Sequence, residues 1–410
     1  MTQLPEASFR LSCPGCLCVR ARLMWCGLLL AAAVAVGYHL RHVDIDAPEE
    51  IVENEGIWES PTLASSLPHF SQSWVNPLEH TPSSHCSVIS SLPSGDLMAV
   101  WYGGGRGGGA DVAVYTSRLS KGSATWSLPE VAVDRVMAQN ELDRYIKKVG
   151  NAVIFPDRLG RVWMIYVTVS LGGWSGCALN LKISHDDGRT WGESRRLTLN
   201  PFLNLSTLVR SKPIYTSDGR IGLPVYHEMA RKFPQMLWLT PKDDERIDYR
   251  IRSLPWNPGL IQPTLVALED DRVLMIMRDG SEERRLRTAF SDDNGWTWSP
   301  AAMSGLPNPD SAVDALRLRD GRILLAYNDA EQGRDTLRLA LSSDGGKSWT
   351  PGAYIERASN REFSYPYLAE DESGRIHLTY TWQRKRIKHV QFNLAWLDNA
   401  ATPRSTTFAQ

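Results

Sequence analysis

The most concentrated polar loop in the chain is GGGRGGG, at 103–109, with Arg106 at its centre. Such a run can cradle a phosphate when a helix follows and turns its first amides toward the anion. Here DVAVYTSR follows, which reads as a strand. The loop is therefore expected at the rim of a pocket, with Arg106 available to an anion. A second basic feature is WQRKRIKHV, where Arg384, Arg386 and Lys388 alternate along one face of a strand. Such a face is usually solvated, although its first members are placed to line a pocket mouth. No paired C-x-x-C or H-x-x-x-H falls in the region 76–400, so no metal site is expected, and no cofactor. A serine hydrolase G-x-S-x-G elbow is also missing.

These residues need a scaffold, and internal repeats show what it is. The pattern S-x-D-x-G-x-T/S-W occurs as SHDDGRTW (184–191), SDDNGWTW (291–298) and SSDGGKSW (342–349). A degraded copy is SRLSKGSATW (117–126). Asp and Gly close a tight turn, Ser and Thr oxygens satisfy its amides, and Trp packs beneath it. This is a structural staple for the outer hairpin of a sheet. A second pattern is an apolar run, a turn and then a strand rich in β-branched and aromatic residues. Its turn centres are Gly95, Gly160, Gly219, Asp271, Gly321 and Gly374, spaced roughly 50 to 65 residues apart. That spacing suits four strands per unit. RILLAYN and RIHLTYTW alternate with period two. Six units and no helical stretch between them predict an all-β fold, a six-bladed β-propeller spanning 76–400.

The remaining numbers are compatible with this. Apolar residues make up 42% of the 410, enough for a large core, and the 15 Trp suit repeat packing. A formal net charge of -1 gives no electrostatic reason to expect a nucleic-acid partner. Leu23–Tyr38 is uncharged, Arg10, Arg20 and Arg22 precede it, and DIDAPEE follows. An N-terminal apolar helix over 23–40 is expected to link the chain to a membrane. The charge bias places residues 1–22 in the cytoplasm and the propeller in the periplasm or outside the cell. Sixteen apolar residues are short for a span, and Ala33-Val34-Ala35 has the spacing of a cleavage site. An uncleaved anchor and a cleaved signal both remain open. Residues 41–75 read as a polar linker. Cys13, Cys16 and Cys18 lack a second ligand pair, and only Cys86 and Cys177 fall in the propeller.

The three boxes, the six units and phrases such as GNAVIFPDRLGRVWMIY, IQPTLVALEDDRVLM and SYPYLAEDESGRIHLTYTWQRKRIKHV resemble the sialidase (neuraminidase) superfamily. The likeness is greatest to its bacterial Asp-box branch and covers roughly 80–395. Because one propeller hosts unrelated chemistries, the boxes identify a fold better than a reaction. The resemblance implies three arginines on a substrate carboxylate, a tyrosine nucleophile with a glutamate partner, and an aspartate acid/base. Guanidinium groups fit a carboxylate bidentately. A phenol is neutral until its proton leaves, so an anionic sugar does not repel it. A carboxylic acid can protonate the leaving oxygen.

Carried onto this chain, the resemblance implies Arg278 and Arg334 as clamp arginines, Tyr365 as nucleophile and Asp111 as acid/base. Two positions depart from it. His85 stands where the first clamp arginine belongs, and Gln262 where the glutamate belongs. Gln262 is then a binding residue, Glu228 in VYHEMARK is the expected base, and Arg106 a substitute for the missing arginine. Asp314, Asn328 and Lys212 are expected near the rim at the ends of inner strands. The implied function is an exo-acting glycosidase on a glycan ending in an acidic sugar. The two departures also admit a uronate lyase, with His85 and Tyr365 moving protons, or a glycan-binding propeller without catalysis.

Overall fold

A computed structural model describes residues 24–28, 30–31, 47–52, 67–105, 109, 111–200, 204–229, 231–242, 246–254 and 258–401. Residues 1–46 and 47–410 form separate units. Of the expected apolar helix, 24–28 and 30–31 are described and helical; the remainder lies outside the described residues. No described helix is long and apolar enough to cross a membrane.

Strand β1 is Phe70–Trp74. Blade I is β2 (Ser83–Ser91), β3 (Leu97–Gly104), β4 (Ala113–Leu119) and β5 (Glu130–Val133), followed by helix α1 (Arg135–Glu141). Blade II is β6 (Lys148–Pro156), β7 (Val162–Val169), β8 (Cys177–Ser184) and β9 (Arg195–Arg196). Blade III is β10 (Thr207–Val209), β11 (Ile214–Tyr215), β12 (Ile221–His227), β13 (Phe233–Pro241) and β14 (Ile247–Ser253). Here β10 and β11 both pair β12, so they are one inner strand broken at 210–213. Blade IV is β15 (Leu260–Ala267), β16 (Val273–Asp279), β17 (Arg285–Ser291) and β18 (Ala302–Pro307). Blade V is β19 (Asp314–Arg317), β20 (Ile323–Tyr327), β21 (Thr336–Ser342) and β22 (Thr350–Arg357). Blade VI is β23 (Phe363–Glu370), β24 (Ile376–Trp382) and β25 (Arg386–Phe392), before helix α2 (Leu394–Ala401).

The outer strand of blade VI is β1, paired antiparallel with β25 from Phe70↔Phe392 to Trp74↔Lys388. The N-terminal strand thus closes the ring on the C-terminal blade. This corrects the reading of 41–75 as linker. Phe70–Trp74 belongs to the propeller, and Ile51 bridges Thr216 on blade III. Closing the last sheet removes the free edge that a polar linker would leave exposed.

All six expected turn centres have positive φ, from 58° at Asp271 to 85° at Gly321. They join the first and second strands of each blade. The alternation in β20 and β24 does not divide core from solvent, because blades cover one another on both faces. All five residues of β20 are buried. In β24, Ile376, Leu378 and Tyr380 face apolar neighbours while His377, Thr379 and Thr381 form a buried polar face. Trp101, Trp163 and Trp238 are fully buried, so packing accounts for these three.

The three boxes fold alike. Asp186 accepts the Thr190 amide at 2.8 Å and its hydroxyl at 2.6 Å, and the Gly188 amide donates to Ser184 Oγ at 2.8 Å. The same bonds recur at Asp293 and Asp344. The hydroxyl and amide donors hold the Asp186 and Asp344 carboxyls down to about 2. In the degraded copy the Trp survives with another partner. Trp126 Nε1 donates to His389 Nδ1 at 3.3 Å, His389 Nε2 meets His377 Nδ1 at 3.0 Å, and His377 Nε2 meets Asp371 at 3.1 Å.

An indole N–H only donates, so His389 Nδ1 is the acceptor and every proton in this row points toward Asp371. The row ties blade I to blade VI across the closure. Burial, and then His377, push the His389 imidazole well below its ordinary range. A neutral folded imidazole contributes stability that is lost as pH falls below the unfolded value near 6.5. Glu370, pushed up to about 7 by burial, titrates in the opposite sense. The effect is therefore isolated by comparing variants. Between pH 6.5 and 5, His389→Gln should gain on the wild type by at most about 1.4 kcal/mol per pH unit. Urea unfolding at both pH values measures this, and parallel pH dependences would show that His389 does not titrate on unfolding.

Candidate functional site

The first strands of the blades touch one another in turn around the axis. Four of them slip register near their start, at His85/Val88, Gly150/Ala152, Ile261/Thr264 and Ser364/Tyr367. Each slip holds a residue at positive φ: Cys86 (59°), Asn151 (25°), Gln262 (52°) and Tyr365 (55°). A residue with a Cβ costs about 1 kcal/mol in this region. Glycine would relieve that cost, so what these positions use is the side chain. A bulge re-aims side chains that the ladder would otherwise hold in the sheet.

Tyr365, half-buried, lies against the edge of His85 with ring centroids 4.6 Å apart. The Arg210 and Arg334 guanidinium carbons are 5.5 Å and 5.6 Å from its ring centroid. His85 also meets Tyr102 edge-on at 5.6 Å. Burial, then Arg384, Arg334 and Arg210, push the His85 imidazole well below its ordinary range, so it is neutral at pH 7.

The clamp arginines of the sequence reading share one carboxylate residue. Arg278 Nε bonds Asp310 Oδ1 at 2.6 Å, and Arg334 donates to the Asp310 carbonyl at 2.9 Å. Arg278 also donates to Gln262 Oε1 at 3.0 Å. Burial disfavours the Arg278 cation, but the Asp310 bond outweighs it and holds the group above its ordinary range. Arg334 faces Glu362 at 3.7 Å, and Glu362 takes Arg384 Nε at 2.8 Å. The Gln262 amide nitrogen donates to Tyr226 Oη at 3.3 Å, and Asn151 does so at 3.4 Å.

The structure therefore brings Tyr365, His85, Arg278, Arg334 and Gln262 into one group. Glu228 follows β12, close enough for its charge to act on Tyr226, while Arg278 acts on it. Burial pushes its carboxyl up, and Lys232 and Arg278 oppose this. Asp111 is exposed and accepts the Gly105 amide at 2.5 Å within its own loop. Arg106 lies outside the described residues.

Asp314 is not on the rim. It is fully buried, accepting from Lys212 Nζ at 2.5 Å, Thr264 Oγ1 at 2.7 Å and the Leu368 amide at 2.7 Å. Those donors come from blades III, IV and VI, so Asp314 and Lys212 join four blades rather than wait for a ligand. Asn328 is likewise buried, bonded to Ser311 at 2.7 Å and Phe363 O at 2.8 Å.

Sequence reasoning missed Arg210, Asp310, Glu362, Tyr102 and Tyr226. Arg210 carried a signal: it is a charged residue closing the apolar run of β10, directly before the break in blade III. Glu362 stands three residues before Tyr365, where the path of the chain gives no hint that it will meet Arg384.

The BNR repeat-like domain model matches residues 95–378, more than half the chain. The chain belongs to the BNR repeat-like domain family. A curated sialidase of Bacteroides fragilis (strain YCH46) is 22% identical over 226 residues, covering 52% of this chain and 40% of its own length. The chain thus spans about two-fifths of that relative. A Hadza microbial sialidase superposes with a TM-score of 0.66 at 17% identity, over 80% of this chain and 69% of that one. The intramolecular trans-sialidase of Ruminococcus gnavus, solved with oseltamivir carboxylate, gives 0.62 at 14% identity, over 79% of this chain and 97% of that one. At these identities the superpositions establish the shared sialidase-like propeller fold of this BNR chain.

Proposed function

We propose that this BNR propeller is an exo-acting glycoside hydrolase that removes a terminal acidic sugar, of sialic or uronic type, from a glycan. The observation that carries this is the pairing of Arg278 and Arg334 about Asp310, with Arg334 against the Tyr365 ring. Guanidinium groups fit a sugar carboxylate bidentately. Tyr365 Oη attacks the anomeric carbon while the bond to the leaving oxygen breaks. Asp111 delivers a proton to that oxygen. Glu228 receives the phenol proton, and the upward push of burial makes its carboxylate a stronger base. Water then displaces the tyrosine, with Asp111 taking the water's proton and Glu228 returning its proton to the Tyr365 phenolate. The apolar N-terminal segment supports action outside the cytoplasm.

His85 favours a second reading. Its Nδ1 is buried with no hydrogen-bond partner among the described residues, and the ring is neutral beside Tyr365. A neutral imidazole can take the proton α to a uronate carboxylate while Tyr365 protonates the departing oxygen, an elimination rather than a hydrolysis.

The full chain should be assayed on α-sialosides, uronic-acid glycosides and uronate polymers. Release of a free acidic sugar, reduced about 10- to 100-fold in kcat/KM by Arg278→Ala, is expected. An unsaturated product absorbing in the ultraviolet would select elimination. Saturable binding of these glycans without turnover would overturn both reactions.

A further inference from the structure

Blade II brings to the site a cation that the chain does not neutralise. Lys148 opens β6 and is buried, with 7% of its surface left exposed. Its Nζ lies 3.8 Å from the centre of the Trp174 indole. Among the described residues, no oxygen accepts from this ammonium and no carboxylate pairs with it. We infer that Lys148, seated on Trp174, is a separate anion subsite that takes a sulfate or carboxylate carried by the sugar next to the terminal one; this rests on the glycosidase reading above.

Backbone and rings both place Lys148 beside the site. It stands three residues before the bulged Asn151, as Glu362 stands three before Tyr365, so the two lie at the same end of the propeller. A path of aromatic rings joins them. Tyr365 meets His85 at 4.6 Å between centroids, His85 meets Tyr102 at 5.6 Å, and Tyr102 meets Trp174 at 6.1 Å. Two rings thus stand between Tyr365 and Trp174. A group that reaches Lys148 therefore belongs to a sugar beyond the one whose anomeric carbon Tyr365 attacks.

The seat of the ammonium is fixed. Trp174 begins a short 3-10 turn, Trp174–Gly176, between β7 and β8. A Cβ on Gly150 would collide with the indole, so glycine is what lets the ring lie against β6. The Lys147 amide donates to Val169 O at 2.8 Å, and its Nζ donates to Gly172 O at 3.2 Å, which ties this loop to the start of β6. An indole face attracts an ammonium but carries no net charge to cancel it and no oxygen to accept its three N–H groups. Burial, then Lys147, push the Lys148 ammonium below its ordinary range. A buried cation without a counter-charge is costly. An oxyanion supplies both the missing charge and the missing acceptors, whereas a sugar hydroxyl supplies an acceptor alone.

The test is release of the terminal sugar by the full chain from disaccharides that end in sialic or glucuronic acid, with galactose, galactose 6-sulfate or galacturonate as the second residue. Wild type should favour at least one charged form over galactose about 10- to 100-fold in kcat/KM, and the favoured form identifies sulfate or carboxylate as the group taken. Lys148→Met keeps a flexible chain over the indole and should bring that ratio to within about twofold of one. Its melting temperature should match or exceed that of the wild type, because no protein acceptor is lost. Arg144→Gln removes an exposed charge four residues earlier and should change the ratio less than about twofold. Equal rates on all three forms by the wild type would overturn the inference and leave the glycosidase reading standing. So would a Lys148→Met protein that keeps the preference, or one that melts lower and slows equally on all three forms, which would make Lys148 a prop for Trp174. Release from no member of the set overturns the glycosidase reading and this inference with it.

Discussion

Replacing Tyr365 by phenylalanine should abolish turnover, by about 10³-fold or more, while acid-sugar binding changes only a few-fold. The substitution deletes one oxygen. A phenyl ring keeps the edge contact with His85 at 4.6 Å and the faces that Arg210 and Arg334 approach. The strained φ of 55° is carried by a residue of the same shape, so folding should be little affected. Removing a nucleophile costs far more than removing one binding contact, because no neighbouring group can form the covalent intermediate. Here the nearest aromatic hydroxyls are poor substitutes: burial pushes both Tyr102 and Tyr226 well above the ordinary phenol range. Stopped activity with normal melting and normal binding is the expected pattern. Turnover within tenfold of wild type would assign the chemistry elsewhere.

Asp314→Ala should destabilise the propeller by about 3–5 kcal/mol, lowering the melting temperature by about 10 °C. The carboxylate is fully buried and satisfied by three donors from three other blades. Its loss strands the Lys212 ammonium, which burial already pushes below its ordinary range against the opposing pull of Asp314. It also leaves the Leu368 amide without its acceptor. Lys212→Met should be costly for the mirror reason, leaving a buried carboxylate without its cation. The double variant Lys212→Met/Asp314→Leu should lose less than the two single losses added, because neither charge is left alone. Thermal melts of the four proteins give the cycle. Additive losses would mean that the pair is not coupled and that each side chain acts through packing alone.

These two residues also mark how far the chain could be read in one dimension. Tyr365 was named from its strand, and the structure places it with His85, Arg278 and Arg334. Asp314 was named by the same kind of argument and lies instead inside the body of the propeller. Both open an inner strand. They differ in whether a bulge turns the side chain toward the axis end or a neighbouring blade captures it. Nothing in SAVDALRL records that Lys212 will arrive from two blades away.

What the chain determined by itself is what depends on neighbours in sequence. The boxes close through bonds between residues two and four positions apart, such as Ser184 to Asp186 and Asp186 to Thr190. The six turn centres need only a backbone that accepts positive φ, and the strands need only β-forming residues between them. Six such units predict a propeller without further information. The tertiary structure decided the rest. Strand β1 closes blade VI although more than three hundred residues separate Phe70 from its partner Phe392. The bulges arise where crowded inner strands meet at the axis, and Arg384 reaches His85 only because the ring closes there. A local bond is encoded by spacing, whereas convergence on an axis depends on every blade between two residues, and no short segment contains that sum.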